Sequence, residues 1–310
     1  MTASGIAIEV LGLTKYYGKL AAVNDLSLCI EKGEIYGFLG LNGAGKTTTI
    51  RMLLGMIKSD AGTVSLFGTR IHPGLKSIWE KVGYMVETPH SYPELTVREN
   101  LEIIERLRYL KSPDTVDRVI DQLGLRREEE KPAGKLSLGN AQRLGLAKAL
   151  IHNPGLLILD EPVNGLDPAG IVEIRNLLRE LAEKSGVTIF ISSHILSEVS
   201  KLTTRIGIIH EGRLINELDA GEIEKQEQRY LEIDTRDNNA AMNILREAGY
   251  PVRQDINQLI RITDTNALDH PDTIATLLVE TKCAPTRLAI EHSDLETYFL
   301  SLVGRGGESN

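Results

Sequence analysis

The sequence predicts an α/β protein with a mostly parallel sheet, followed by a smaller α+β unit. Three stretches carry that expectation. Glu34-Ile35-Tyr36-Gly37-Phe38-Leu39 is an apolar run that reads as a strand buried on both faces. It leads through a glycine-rich turn into Thr47-Thr48-Thr49-Ile50-Arg51-Met52-Leu53-Leu54, which reads as the opening of a helix. Gly155-Leu156-Leu157-Ile158-Leu159 is a second apolar run, closed by Asp160 and Glu161. Val187-Thr188-Ile189-Phe190-Ile191-Ser192-Ser193 is a third, and it ends at His194. Polar groups therefore gather at the carboxyl ends of buried strands, where open parallel sheets place their ligands.

The turn after the first strand is Gly40-Leu41-Asn42-Gly43-Ala44-Gly45-Lys46-Thr47. It fits G-x-x-x-x-G-K-[ST], the phosphate-binding P-loop, and it sits between a strand and a helix as that loop must. Its glycines let the backbone wrap closely, with N–H groups aimed at phosphate oxygens. The helix N-terminus adds partial positive charge. Lys46 is expected to reach the β- and γ-phosphates, and the Thr47 hydroxyl to ligate Mg²⁺. At the end of the second strand, Asp160 is placed to hold Mg²⁺ and Glu161 to position a water for attack on the γ-phosphate. A lone histidine is usually structural, but His194 stands at a carboxyl strand end as well.

Bulk properties bound the rest. A chain of 310 residues suggests two domains, and 42% hydrophobic content is enough for an ordinary core. A net charge of -8 and a pI near 5.5 argue against a nucleic-acid partner held mainly by phosphate contacts. Cys29 and Cys283 are far apart and form no C-x-x-C pair, so they are expected to be two buried free thiols in a reducing compartment. Met1-Thr2-Ala3-Ser4-Gly5 has no signal-peptide character, and no apolar run approaches the length of a membrane span. A cytoplasmic chain is expected.

Taken in order, Ile6 to Val10 reads as an edge strand. Tyr16-Tyr17-Gly18 follows, where the rings either pack a strand end or offer a stacking face to a purine. Val23 to Ile30 is a strand, Ser59 to Thr63 a turn, and Val64 to Gly68 a short strand. A strand ending in the carboxylate of Glu87 is broken by Thr88-Pro89. A helical insertion, about 90–152, opens with the capping box Thr96-Val97-Arg98-Glu99. Pro113 to Leu123 is its second helix. Arg126 to Lys131 reads as a solvated, charge-rich loop. After Leu136-Ser137-Leu138-Gly139-Asn140 a helix runs from about Ala141 to Ile151. Asn164 to Pro168 is a tight loop and Ile171 to Leu181 a helix. Ile206 to His210 is the last strand of the first domain, 1–222. Glu222 to Arg229 reads as a linker into the second, 223–310. There the expected elements are strands at 230–234, 259–262 and 287–291 and helices at 239–248, 270–280 and 293–302. The last helix opens with the capping box Ser293-Asp294-Leu295-Glu296.

In these residues the chain resembles the ATP-binding subunits of ATP-binding-cassette (ABC) transporters, over residues 6 to about 220. Tyr17 matches the adenine-stacking aromatic, and Gly40 to Thr47 match Walker A. Asp160 and Glu161 match the Walker-B acid and the catalytic base. Asp167 matches the D-loop and His194 the switch histidine. Leu136 to Asn140 stands at the signature, usually L-S-G-G-Q, with Gln142 and Arg143 after it. The resemblance implies a P-loop NTPase fold of the ABC type, with a mostly parallel core, an antiparallel β part and a helical insertion. It also implies a dimer of cassettes, identical or not. ATP would lie between one chain's Gly40, Asn42, Gly43, Ala44, Gly45, Lys46, Thr47 and Thr48 and the other's Ser137 and Gly139. Those last two precede a helix N-terminus, so hydroxyl, N–H and dipole would face a γ-phosphate supplied in trans.

Two departures stand out. Glu87 occupies the usual glutamine of the Q-loop, adding a third carboxylate expected near Asp160 and Glu161 and, with them, near Mg²⁺. LSLGN replaces the first signature glycine and the glutamine. Both departures, and the ending Leu295-Glu296-Thr297-Tyr298-Phe299, resemble the exporter cassettes of bacitracin and lantibiotic immunity. The resemblance therefore implies an ATPase driving export of an antimicrobial peptide or drug. Such a subunit sits on the inner face of the membrane through a transmembrane permease. A soluble cassette of repair or translation and an importer cassette are the other readings. The first usually carries coiled-coil arms, zinc modules or a second cassette, and the second a β-rich accessory domain.

Overall fold

The computed structural model describes residues 5–72, 74–75, 77–87, 90–195, 199–226, 229–255, 258–292, 298–299 and 302. The chain divides into two compact units, Met1–Ala220 and Gly221–Asn310.

In the first unit, β3 (Ile35–Leu39), β7 (Leu156–Asp160) and β8 (Thr188–Ser193) are buried at every residue. With β6 (Val82–Met85) and β9 (Arg205–His210) they form a parallel sheet in the order β9-β3-β8-β7-β6. Continuous apolar sequence is what a strand covered on both faces requires. A tenth strand, β10 (Arg213–Asp219), pairs antiparallel to β9 at the edge. The sequence reading took β9 as the last strand of this unit, which it extended to 222. β10 alternates exposed and half-buried residues, as an edge strand does, and so lacks the apolar run that marks its neighbours.

A second, antiparallel sheet has the order β2-β1-β4-β5, from β1 (Ile6–Tyr17), β2 (Leu20–Glu31), β4 (Ala61–Leu66) and β5 (Thr69–Arg70). β1 is thus an interior strand, correcting the expectation of an edge, and it continues to Tyr17. α1 (Lys46–Leu53) joins the two sheets through one core, in which Ile50 and Leu53 meet Ile8, Leu26, Phe38, Ile158 and Phe190. The Phe190 ring lies 5.8 Å from that of Tyr36 and 5.3 Å from that of Phe38. Cys29 is exposed and Cys283 half-buried, and both are free, so the thiols are not the buried pair expected.

The helical insertion contains α2 (Val97–Leu107), α3 (Thr115–Gln122) and α4 (Leu138–Leu150). The Thr96–Glu99 capping box is present in full. Buried Asn100 ties the insertion internally, donating to the carbonyls of Tyr92, Leu95 and Thr96 and accepting from Lys148 Nζ. The 126–131 segment is no plain solvated loop. Arg126 pairs with Asp117 (2.7 Å), Asp121 (2.6 Å) and Glu129 (3.1 Å), and Arg98 of α2 joins the same Asp117 and Glu129. Hydrogen bonds from Arg98, then from Arg126, hold the Asp117 carboxyl down at about 2. Carboxylates shared between arginines of different elements are invisible to local charge counting. α4 begins three residues earlier than predicted because Ser137 caps it, accepting from Asn140 N. α5 (Pro168–Ser185) is capped by Asp167, which accepts from Gly170 N at 2.9 Å.

The stretch read as a linker is helical as α6 (Ala220–Gln226). In the second unit the chain runs β11 (Arg229–Thr235), α7 (Asn238–Glu247), β12 (Val252–Gln254), β13 (Ile260–Ile262), α8 (Thr265–Asp269), α9 (Pro271–Glu280) and β14 (Pro285–His292). The sheet is antiparallel in the order β12-β13-β11-β14, the split β-α-β-β-α-β arrangement. β12 and α8 are too short for a periodic signal and were not read from sequence. Leu231, Ile233, Ile260 and Ile262 meet Ala241, Leu245, Ile274 and Leu278 in a separate core. The predicted capping box at 293–296 lies outside the described residues.

Phe190 fills the space between both sheets, so Phe190→Ala is expected to lower unfolding free energy by about 3–5 kcal/mol, read as a shifted urea midpoint. An unchanged midpoint would contradict the packing described.

Candidate functional site

The strand order places β3, β8 and β7 side by side, so the turns that leave their carboxyl ends share one edge. Leu39 is paired with Ser193, and Ser192 with Asp160. This register brings the P-loop, His194 and the Asp160–Glu161 pair together from distant parts of the chain.

Gly45 has φ 106°, and a Cβ there would stand 2.4 Å from the Ala22 carbonyl oxygen, so only glycine fits the loop's last turn. Gly40 follows β3, Asn42 and Gly43 are exposed at the tip, and Ala44 is buried beneath. Thr48 is half-buried in the first turn of α1. The Lys46 ammonium is 6% exposed. It donates to Gly40 O at 2.7 Å and Leu41 O at 3.3 Å and lies 3.4 Å from Glu161 Oε1. Thr47 Oγ1 donates to Asp160 Oδ2 at 2.8 Å, and Ser192 Oγ donates to Asp160 Oδ1 at 2.5 Å. Asp160 is 2% exposed, so both oxygens of a buried carboxylate are met by neutral hydroxyls. A buried anion satisfied that way suits an added cation, and hydroxyl and carboxylate are the hard oxygen donors Mg²⁺ takes.

Glu161 adopts φ 51°, which turns its side chain off the line of β7. Its Oε2 accepts from His194 Nδ1 at 2.8 Å in the tautomer that carries the proton there. Gln142 Nε2 donates to its carbonyl at 3.0 Å. Tyr17 is half exposed at the end of β1, with Lys15 Nζ 5.7 Å from its ring. Ser137 is exposed and Gly139 half-buried at the start of α4. Among the described residues neither bonds to the P-loop side chains.

Glu87 differs from expectation. Its oxygen lies 2.5 Å from Arg51 on α1, at a half-exposed position two residues beyond β6. No group of three or more His, Cys, Asp or Glu side chains forms a metal cluster among the described residues. Arg51 takes up the charge of Glu87. Glu87 and Arg51 line a groove of about 440 Å³ between the core and the helical insertion, with Tyr84, Ile104, Arg108 and Lys148. Burial lowers the Lys148 ammonium to about 8. Ser192 and Arg51 were missed from sequence. Ser192 is legible only once β7 and β8 are known to be neighbours, and Arg51 only once α1 is known to face the segment after β6.

Fold and site together define a nucleotide-binding P-loop ATPase cassette. The ABC transporter family matches at residues 23–164. The bacitracin transport ATP-binding protein BcrA of Bacillus licheniformis is 43% identical over 303 residues, 96% of this chain and 98% of that one. The lantibiotic transport ATP-binding protein SrtF of Streptococcus pyogenes is 37% identical over 223 residues, 72% of this chain and 95% of its own. The dimeric structure of a bacterial ABC transporter cassette superposes with a TM-score of 0.63 at 26% identity, covering 69% of this chain and 98% of that one. The chain belongs to the family of ABC transporter ATP-binding proteins and is an ABC-type ATPase. No described helix is long and apolar enough to cross a membrane.

Lys46→Ala removes the buried ammonium that faces the P-loop carbonyls. Nucleotide affinity is expected to fall at least about tenfold, the usual worth of a charge-assisted contact, in equilibrium binding of labelled ATP. Unchanged affinity would place the phosphates elsewhere.

Proposed function

We propose that this chain is the ATP-hydrolysing subunit of an exporter for an antimicrobial peptide of the bacitracin type. The observation that carries the reading is the extent of the similarity. It spans both units in the bacitracin transport protein, whereas the lantibiotic transport protein matches 223 residues, 95% of its length. The second unit packs its own core, so sharing it means sharing an accessory element beyond the cassette. We take 1–222 as the cassette and 223–310 as that accessory domain.

In this reading Walker A, from Gly40 to Thr47, cradles the phosphates together with Thr48, Lys46 contacts the β- and γ-phosphates, and Tyr17 stacks on the adenine. Thr47 and Asp160 would hold Mg²⁺, which would screen phosphate charge. Glu161 orients the attacking water, and His194 holds Glu161 and the γ-phosphate in register. Ser137 and Gly139 serve the nucleotide of a second cassette. Asp167 fixes the loop beside them by capping α5. In this reading a transmembrane permease docks at the groove whose rim carries Glu87, and the chain lies on the inner face of the membrane. Its pairing with Arg51 supports a coupling role over direct contact with the metal.

Two outcomes test this. Glu161→Gln is expected to keep ATP binding and to slow hydrolysis about 10²–10⁴-fold, the worth of a positioned base. Full turnover would sink the assignment. Co-expressed with its permease in a bacitracin-sensitive host, the chain is expected to raise resistance, and Glu87→Ala to reduce that resistance. If neither Glu87→Ala nor Glu87→Gln changes survival, the coupling role fails.

A further inference from the structure

One face of α4 is fastened to the segment that follows Glu161. Gln142 donates to the Glu161 carbonyl, and Arg143 donates to Glu173 of α5 at 2.6 Å and to Leu123 O at 3.1 Å. A Cβ on Gly139 would meet Leu166 Cδ2 at 3.3 Å. Residues 138, 139, 142 and 143 fall on one side of the helix at spacings of three and four. Leu138 adds the closest approach. A Cβ on Gly165 would stand 2.2 Å from Leu138 Cδ2 and 2.7 Å from its Cγ, so the leucine occupies the space that any side chain at 165 would need. Leu138 is otherwise 58% exposed. It stands where the signature usually has its first glycine.

We propose that Leu138 and Gly165 are a latch: positioning residues that fix the signature turn against the 163–167 loop of the same chain. The proposal rests on the cassette-dimer reading, in which Ser137 and Gly139 act on the partner's nucleotide. Ser137 caps α4, so the orientation of the helix's first turn is the orientation of its hydroxyl. The loop on the other side is short and bonded back to the catalytic carboxylate's residue, with Asn164 N donating to Glu161 O at 3.1 Å and Leu166 N to Val163 O at 3.2 Å. A glycine at 138 would leave Gly165 uncovered and the turn held only by the contacts further along α4. The leucine thus joins the face a chain offers its partner to the backbone of its own Glu161.

The test is a double-mutant cycle on the full-length chain. Leu138→Ala, Gly165→Ala and the pair are compared for kcat of ATP hydrolysis, for its dependence on protein concentration, and for equilibrium affinity for a fluorescent ATP analogue. Ser137→Ala is carried as the check on the dimer reading. Without its γ- and δ-carbons, residue 138 leaves its Cβ 3.7 Å from a Cβ at 165, an ordinary contact. Leu138→Ala is expected to lower kcat about 3–10-fold, in the range of coupled neighbours, and to leave nucleotide affinity within about twofold. Gly165→Ala is expected to cost more, through the clash and its φ of +78°. The double variant should exceed Gly165→Ala alone. If Ser137→Ala lowers kcat but the two substitutions simply multiply, or Leu138→Ala is silent, the latch is overturned. If Ser137→Ala is silent and activity per chain does not depend on protein concentration, the dimer reading falls and the latch with it.

Discussion

A buried ammonium organises the catalytic half of this protein. Lys46 lies in the first turn of α1 with two P-loop carbonyls and Glu161 around it. A lysine so enclosed is tolerable only where oxygens surround it, because desolvating an unpaired charge costs several kcal/mol. That requirement ties the loop after β3 to the turn after β7, across β8, which runs between them. The all-buried strands, the Leu39–Ser193 and Asp160–Ser192 registers and the close turn at Gly45 are the framework that meets it.

Much of this was legible in the chain. The P-loop, the acids after β7 and the histidine after β8 announced themselves because each follows a run of apolar residues, a local signal. What escaped was non-local. The partnership of Ser192 with Asp160 depends on strand adjacency, and that of Arg51 with Glu87 on how α1 faces the segment after β6. Charge at 126–131 looked like solvated surface because its partners, Arg98 and Asp117, belong to other helices. β1 was taken for an edge because only its first residues alternate cleanly, although β2 and β4 flank it. Elements of three to five residues, β12 and α8, carry too few positions to show a period at all.

The second unit is a self-contained α+β body, with its apolar strand residues packed in one core with residues of α7, α8 and α9. Its other sheet face is charged. Glu232 is buried between Arg261 at 3.8 Å and Arg287 at 3.1 Å, and Arg261 lies over the Tyr230 ring at 4.3 Å. Guanidinium groups suit such planar stacking and pairing together, which a lysine would not reproduce.

The position of Glu161 carries one more consequence. Its two oxygens are engaged by different groups, one by Lys46 and one by His194. Lys46 belongs to the helix that follows β3 and His194 to the turn that follows β8. Through these contacts a single side chain ties together the segments that follow β3, β7 and β8.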